Sequence, residues 1–163
     1  KQVEWWFSLS SQDYSVPRVI LYCSMTEILL AYDGSEPAEH AREVVFDRFD
    51  PDVVTVLFVF DPGEAGYEAP DPFGTDTELT ELATERAEEV FTTFEVPGES
   101  DTTVRTVHEV GHPARTIVDH AARDDVDHVV VGSHGREGVS RLLLGSVAEK
   151  IVRRSPVPVT VVR

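Results

Sequence analysis

The sequence predicts an α/β domain, with a mainly parallel β-sheet covered by helices on both faces. Three observations carry that prediction. Strand-length apolar runs alternate with segments whose apolar residues recur at helical spacing, in the order βαβ, long connection, αβαβαβ. The run Val53 to Phe60 is continuously apolar instead of alternating, as in a strand buried on both faces. A glycine-rich stretch, Gly132-Ser133-His134-Gly135 and, after nine intervening residues, Gly145-Ser146, joins the apolar run Val129-Val130-Val131 to a helix-like segment. In open parallel sheets, ligands sit beyond such C-terminal strand ends, where the strand order reverses.

Each element has its own local justification. Glu27 to Tyr32 reads as a buried first strand that ends at Asp33-Gly34-Ser35. Ser35 is the expected N-cap of the first helix, whose opening residues Glu36 and Pro37 suit a first turn. Ala38, Ala41, Val45 and Phe49 supply its apolar face, and Asp50-Pro51-Asp52 breaks it. The second strand follows. Asp61 to Thr77, rich in Pro, Gly and acids, is the longest irregular connection and is expected to be mobile. Leu79, Leu82, Ala83, Ala87, Val90, Phe91 and Phe94 mark a second helix, stopped by Pro97-Gly98. Thr103 to Val110 alternates as a third strand, with Val104, Thr106 and His108 on one face. Gly111-His112-Pro113 turns into a third helix with Ala114, Ile117, Val118, Ala121 and Ala122 facing inward. His128 to Val131 is the fourth strand, and the glycine loop and a helix over Val147 to Val152 follow. Ser155-Pro156 stops that helix before a fifth strand, Val157 to Val162.

Composition narrows the function. The 163 residues make one domain with a substantial core. Thirty acids against 14 bases give a net charge of −16, and Lys1 and Lys150 are the only lysines. Such a chain repels nucleic acid and anionic membranes, so neither is an expected partner. The acidity reads as adaptation to high salt, as in a halophilic archaeon, with a simply well-solvated surface as the alternative. A single cysteine, Cys23, forms no intrachain disulfide and suits a reducing cytoplasm, the expected location. No apolar run reaches membrane-spanning length, and Trp5-Trp6-Phe7 lacks the features of a signal peptide. Residues 1–24 differ in composition from the rest. They read as an extension outside a native domain of residues 25–163, with an arm packed on the domain as the competing reading.

The strand, glycine loop and helix start form a plausible anion cradle. Glycines let the backbone approach closely, and helix N-terminal N–H groups point at negative charge. The pattern is neither GxxxxGK[ST] nor GxGxxG, and no lysine follows the last glycine. Backbone, hydroxyl and arginine must therefore hold the anion. Arg136 and Arg141 are the candidate cations, with pairing to surface acids such as Glu137 as the alternative. Asp33 is the best-placed polar residue at a strand end. His134 beside Ser133 is read as loop rather than catalyst, since a general base needs an orienting partner. His108 and His112 span a strand end and a turn and do not form a metal pair.

The spacing G-x2-G-x9-G-[ST] after a fourth strand is similar to the ATP-binding signature of the universal stress protein family (UspA-like, ATP-binding subgroup). Gly132, Gly135, Gly145 and Ser146 fill it without departure. Leu29-Leu-Ala-Tyr-Asp-Gly-Ser35, Gly111-His-Pro-Ala114 and the tail from Gly145 to Val159 resemble the family as well, so the resemblance covers residues 25–163. It implies a Rossmann-like, three-layer sandwich of the adenine nucleotide alpha hydrolase type. Its five-stranded parallel sheet would have the order 3-2-1-4-5, with ATP in the crevice; a bound Mg²⁺ would help to offset the charge of the phosphates against the acidic chain. On that resemblance Asp33 matches the acid at the adenosine end, and Val59 the second-strand residue whose backbone meets adenine. Gly132 and Gly135 match the phosphate-loop glycines, and Gly145, Ser146 and Val147 the contacts to phosphate. The resemblance also implies a homodimer through the last strand, Val157 to Val162, where prolines suit an edge. The expected function is an ATP-binding, stress-response regulatory switch without strong catalysis, because no base or water-positioning residue for phosphoryl transfer is recognisable. The alternative is a low-turnover ATP hydrolase or phosphotransferase.

Overall fold

The computed structural model describes residues 26–64, 77–98, 101–123, 125–133 and 144–163. The reading of 1–24 as an extension, most of the 61–77 connection, and the loop residues His134, Gly135, Arg136 and Arg141 lie outside that set.

Nine elements follow in strict alternation: β1 (Glu27–Ala31), α1 (Glu36–Arg48), β2 (Val53–Phe60), α2 (Thr77–Thr92), β3 (Thr103–Val110), α3 (Pro113–Ala121), β4 (His128–Gly132), α4 (Ser146–Arg154) and β5 (Val159–Val162). All strand pairs are parallel, in the order β3-β2-β1-β4-β5. β1 lies between β2 and β4, with Leu29 registered against both Thr55 and Val129. Strand order therefore reverses beside β1, and β3 and β5 form the edges.

Alternation along each strand divides the core in two. On one face Ile28, Leu30, Val54 and Val56 pack beneath α1 and α2. On the other Leu29, Leu57, Val129 and Val131 pack beneath α3 and α4. The helices meet the sheet largely through alanine: Ala38 and Ala41 from α1, Ala83 and Ala87 from α2, Ala114 and Ala121 from α3, Ala148 from α4. Small contact residues bring the helix axes close to the central strands, whose bulky side chains fill the space. Each fully buried Leu or Ile contributes about 1.5–3 kcal/mol relative to exposure.

Four local expectations change. Ser35 stands at the N-cap of α1 in extended conformation but makes no side-chain cap bond, and its buried Oγ has no partner among the described residues. Asp33 instead turns the chain: its Oδ1 accepts the Ser35 N–H at 3.0 Å, next to Gly34 at φ 77°. The inward face of α3 carries His120 where Ala122 was expected, because Ala122 is the C-cap and points out. Burial of His120 is tolerated through its contact with Glu109 and with Arg123 Nη2 at 3.1 Å. Leu142-Leu143-Leu144 reads from the sequence as an anchor of the loop to the core, but Leu144 is exposed, and Leu142 and Leu143 lie outside the described residues. Finally, β5 starts at Val159, after Pro158 gives its carbonyl to Val129 N–H at 3.0 Å. Among the described residues no helix is long and apolar enough to cross a membrane.

Candidate functional site

At the C-terminal ends of β1, β2 and β4 the sheet opens into a cavity of about 740 Å³. Asp33, Val59, Gly132, Gly145, Ser146 and Val147 all line it. Six of the nine residues singled out from the sequence are thus brought together. The other three, Gly135, Arg136 and Arg141, fall in the segment outside the described residues.

Strand length explains the position of Val59. β1 ends at Ala31, registered with Leu57, and Tyr32 N–H donates to the Leu57 carbonyl at 3.0 Å. β2 continues through Phe58, Val59 and Phe60, paired on its far side with β3. Alternate residues of a strand present their peptide groups to the same edge. Leu57 faces β1, so the N–H and C=O of Val59 face the same way, where β1 has ended and the cavity begins. Phe60 faces the other edge and accepts from Gly111 N–H at 2.9 Å.

Gly132 has a different reason to be glycine from the one its place in the motif gives. A Cβ there would lie 2.7 Å from the Pro37 carbonyl carbon and 2.8 Å from its oxygen. The first turn of α1 therefore sits directly on the end of β4. Ser133, which the sequence reading passed over, closes the base of the glycine loop. Its N–H donates to Val162 O at 2.6 Å, and its carbonyl accepts Gly145 N–H at 2.7 Å. Both ends of the 134–144 segment are thereby held at one point. A motif reading that weighs glycines has no signal for a backbone latch of this kind.

Gly145 is the N-cap of α4, in extended conformation and with no side-chain cap, so Ser146 is the first helical residue rather than the cap. Glu149 N–H already donates to Gly145 O at 2.9 Å. The N–H groups of Ser146, Val147 and Ala148 have no intrahelical acceptor, and all three residues line the cavity. That helix end carries the positive pole of the α4 dipole.

Behind Asp33 lies a buried polar brace. Tyr32 is 2% exposed, and its Oη donates to Glu39 on α1. Burial, reinforced by the Glu39 contact, pushes its hydroxyl up to about 12. Arg42 Nε donates to Glu39 Oε2 at 2.8 Å, and its Nη1 to Glu95 O at 2.8 Å. The Tyr32 ring stands edge-on to Phe94, centroids 5.1 Å apart. The turn bearing Asp33 is thus tied to α1 and to the segment after α2.

The cavity has an apolar floor of Leu57, Val59, Ile117 and Val131. Its charged lining is lopsided. Among the described residues Asp33, Asp61, Glu64, Glu85 and Glu89 stand against Arg86, which is itself paired with Glu89. No His, Cys or Lys is among the described lining residues, and no described His/Cys/Asp/Glu group forms a metal cluster. The arrangement offers an apolar floor, a peptide edge for hydrogen bonding, and a helix N-terminus for an anion.

Comparison with known proteins supplies the lineage. The model of the universal stress protein family matches residues 25–163. Universal stress protein MJ0531 of Methanocaldococcus jannaschii is 30% identical over 148 residues, covering 84% of this chain and 81% of the relative. The solved structure of protein MJ0577, from the same organism, is 33% identical with a TM-score of 0.64, covering 85% of this chain and 96% of that one. A universal stress protein family protein of Arabidopsis thaliana with AMP bound, 14% identical at a TM-score of 0.52, shares the fold. Family match, identity across most of the chain and shared topology agree: this chain belongs to the universal stress protein family.

Proposed function

We propose that this chain is a nucleotide-dependent stress-response regulator that binds ATP in the cavity at the ends of β1, β2 and β4. The observation that carries the reading is that the peptide edge of Val59 and the N-terminus of α4 open into one cavity. An adenine needs a flat apolar slot and backbone groups that pair with its edge. A triphosphate needs convergent N–H donors. Val59 supplies the first and Ser146, Val147 and Ala148 the second, with Asp33 between them at the ribose. The cavity volume lies within the ~300–1,000 Å³ usual for small-molecule sites. Mg²⁺ fits only as a companion of the phosphates, since the described residues offer no metal cluster and this ion is commonly held by phosphates, water and one or two carboxylates. Gly135, Arg136 and Arg141 complete the phosphate side in this reading.

Regulation rather than catalysis is favoured because nothing in the sequence marks a base or water-positioning residue for phosphoryl transfer. The test is to purify the protein, identify any nucleotide it carries, and follow added ATP. Stoichiometric binding with less than one turnover over hours is expected. Sustained turnover lost on altering Ser146 would instead make the protein an ATP hydrolase. The reading includes a cytoplasmic homodimer paired through β5, an edge strand whose side chains are all only partly buried. A dimeric mass at micromolar protein in high salt is expected, and a monomeric mass contradicts it.

A further inference from the structure

The cavity proposed for a polyanion is lined by negative charge, and that conflict has a consequence for its regulation. Asp33, Asp61, Glu64, Glu85 and Glu89 are its described carboxylates and Arg86 its described cation. Arg86 is already paired with Glu89, so its charge is largely cancelled before a ligand arrives. A volume of about 740 Å³ corresponds to about 9 Å across. At ~0.1 M salt the screening length is about 10 Å, so a ligand anywhere in the cavity feels these carboxylates. At ~1 M it is about 3 Å, and most of that repulsion is gone. The whole chain, at net −16, adds to the same field.

We infer that nucleotide enters this cavity with uptake of cations, so that ionic strength sets occupancy: affinity for the anionic nucleotide rises as salt rises. This rests on the ATP-site reading above and adds the sign of its salt dependence. An ordinary polyanion site works the other way, because salt screens attraction and competes for the cations that hold the anion. Here the helix N-terminus and peptide edge bind at hydrogen-bonding distance, which is no longer than the screening length even at ~1 M; with Arg136 and Arg141 counted beside Arg86, the five described carboxylates still outnumber the cations of the site. The carboxylates act over longer distance, which salt weakens strongly. In this chain the charge of the cavity makes salt itself a signal. The neutral base and ribose contribute binding that does not depend on salt, so the size of the effect follows ligand charge.

The experiment is a calorimetric titration of the full chain with ATP, ADP, AMP and adenosine at ~0.1 M and ~1 M KCl. ATP is expected to tighten about tenfold or more across that range, ADP and AMP by successively less, and adenosine hardly at all. Adenosine binding at low salt also shows that the site is folded there. The double variant Glu85→Gln/Glu89→Gln, both exposed on α2, is expected to bind ATP more tightly at low salt and to flatten the salt response. Glu81→Gln/Glu88→Gln removes the same charge from α2 outside the lining and is expected to change the response much less. ATP affinity that falls with salt while adenosine still binds overturns the inference and leaves the ATP site standing. Equal responses of the two double variants also overturn it, by assigning the effect to overall charge. Failure of every ligand to bind at either salt overturns the site and the inference together.

Discussion

Gly132 and His128 show how much a single position is decided by what lies across the sheet. The Cβ that Gly132→Ala would add meets Pro37 backbone, which cannot swing aside as a long side chain could. The variant is expected to lose about 1–3 kcal/mol of stability, read by denaturant unfolding, whether or not nucleotide is present. An unchanged midpoint would mean that α1 does not seat on β4 as described. His128 sits at the start of β4, its Nε2 2.8 Å from Thr160 Oγ1 on β5 and its ring 5.1 Å from that of Phe49. Burial lowers its pKa below the usual 6.5, which favours the neutral ring in the fold. Above pH 6.5 the ring is neutral in both states and contributes no slope. As pH falls below 6.5 the unfolded chain takes up the proton first, so stability is lost between 6.5 and the lowered folded value. His128→Gln is expected to flatten the stability–pH curve in that window. A curve that stays parallel to the parent would remove His128 from the account.

The start of α4 carries the claim at the scale of elements. Gly145 at φ −62° and ψ 151° has the conformation favoured before proline, and Ser146 occupies the first helical position, where proline fits. Ser146→Ala removes only the hydroxyl, whereas Ser146→Pro also removes an N–H while sparing the helix. ATP affinity is expected to fall by about tenfold with Ala and further with Pro, since hydrogen bonds to charged groups contribute about 1.5–3 kcal/mol. Adenosine affinity should hold in both. Equal loss of adenosine binding would show a damaged fold rather than a lost phosphate donor. Most elements were legible in the sequence, because continuous apolar runs and the alanine spacing of the helices have one stable packing. The helix starts were not: whether Ser35 caps α1, and whether α4 begins at Ser146 or at Val147, depends on rotamers and on competing backbone bonds, which leave no periodic trace. Inward-facing His120 was invisible for a related reason, since its partner Glu109 lies on another element. The candidate site was legible where a motif names a residue, as at Gly145, and illegible where backbone does the holding, as at Ser133.

For the whole molecule, topology and charge pull the site in opposite directions. Reversal of strand order beside β1 leaves the end of β2 unpaired on one side and sets the α4 N-terminus across from it, which creates a place for a nucleotide. A net charge of −16 surrounds that place with repulsion. The central claim, that ATP lies between Val59 and the start of α4, meets its most direct test in an amide NMR titration of the full chain with ATP at high salt. Saturable shifts are predicted at the amides of Val59, Gly145, Ser146 and Val147. Those of Glu27 and Thr55, at the opposite end of the sheet, should stay still. Saturable shifts elsewhere with those four amides unmoved, or no shifts at all, would contradict it.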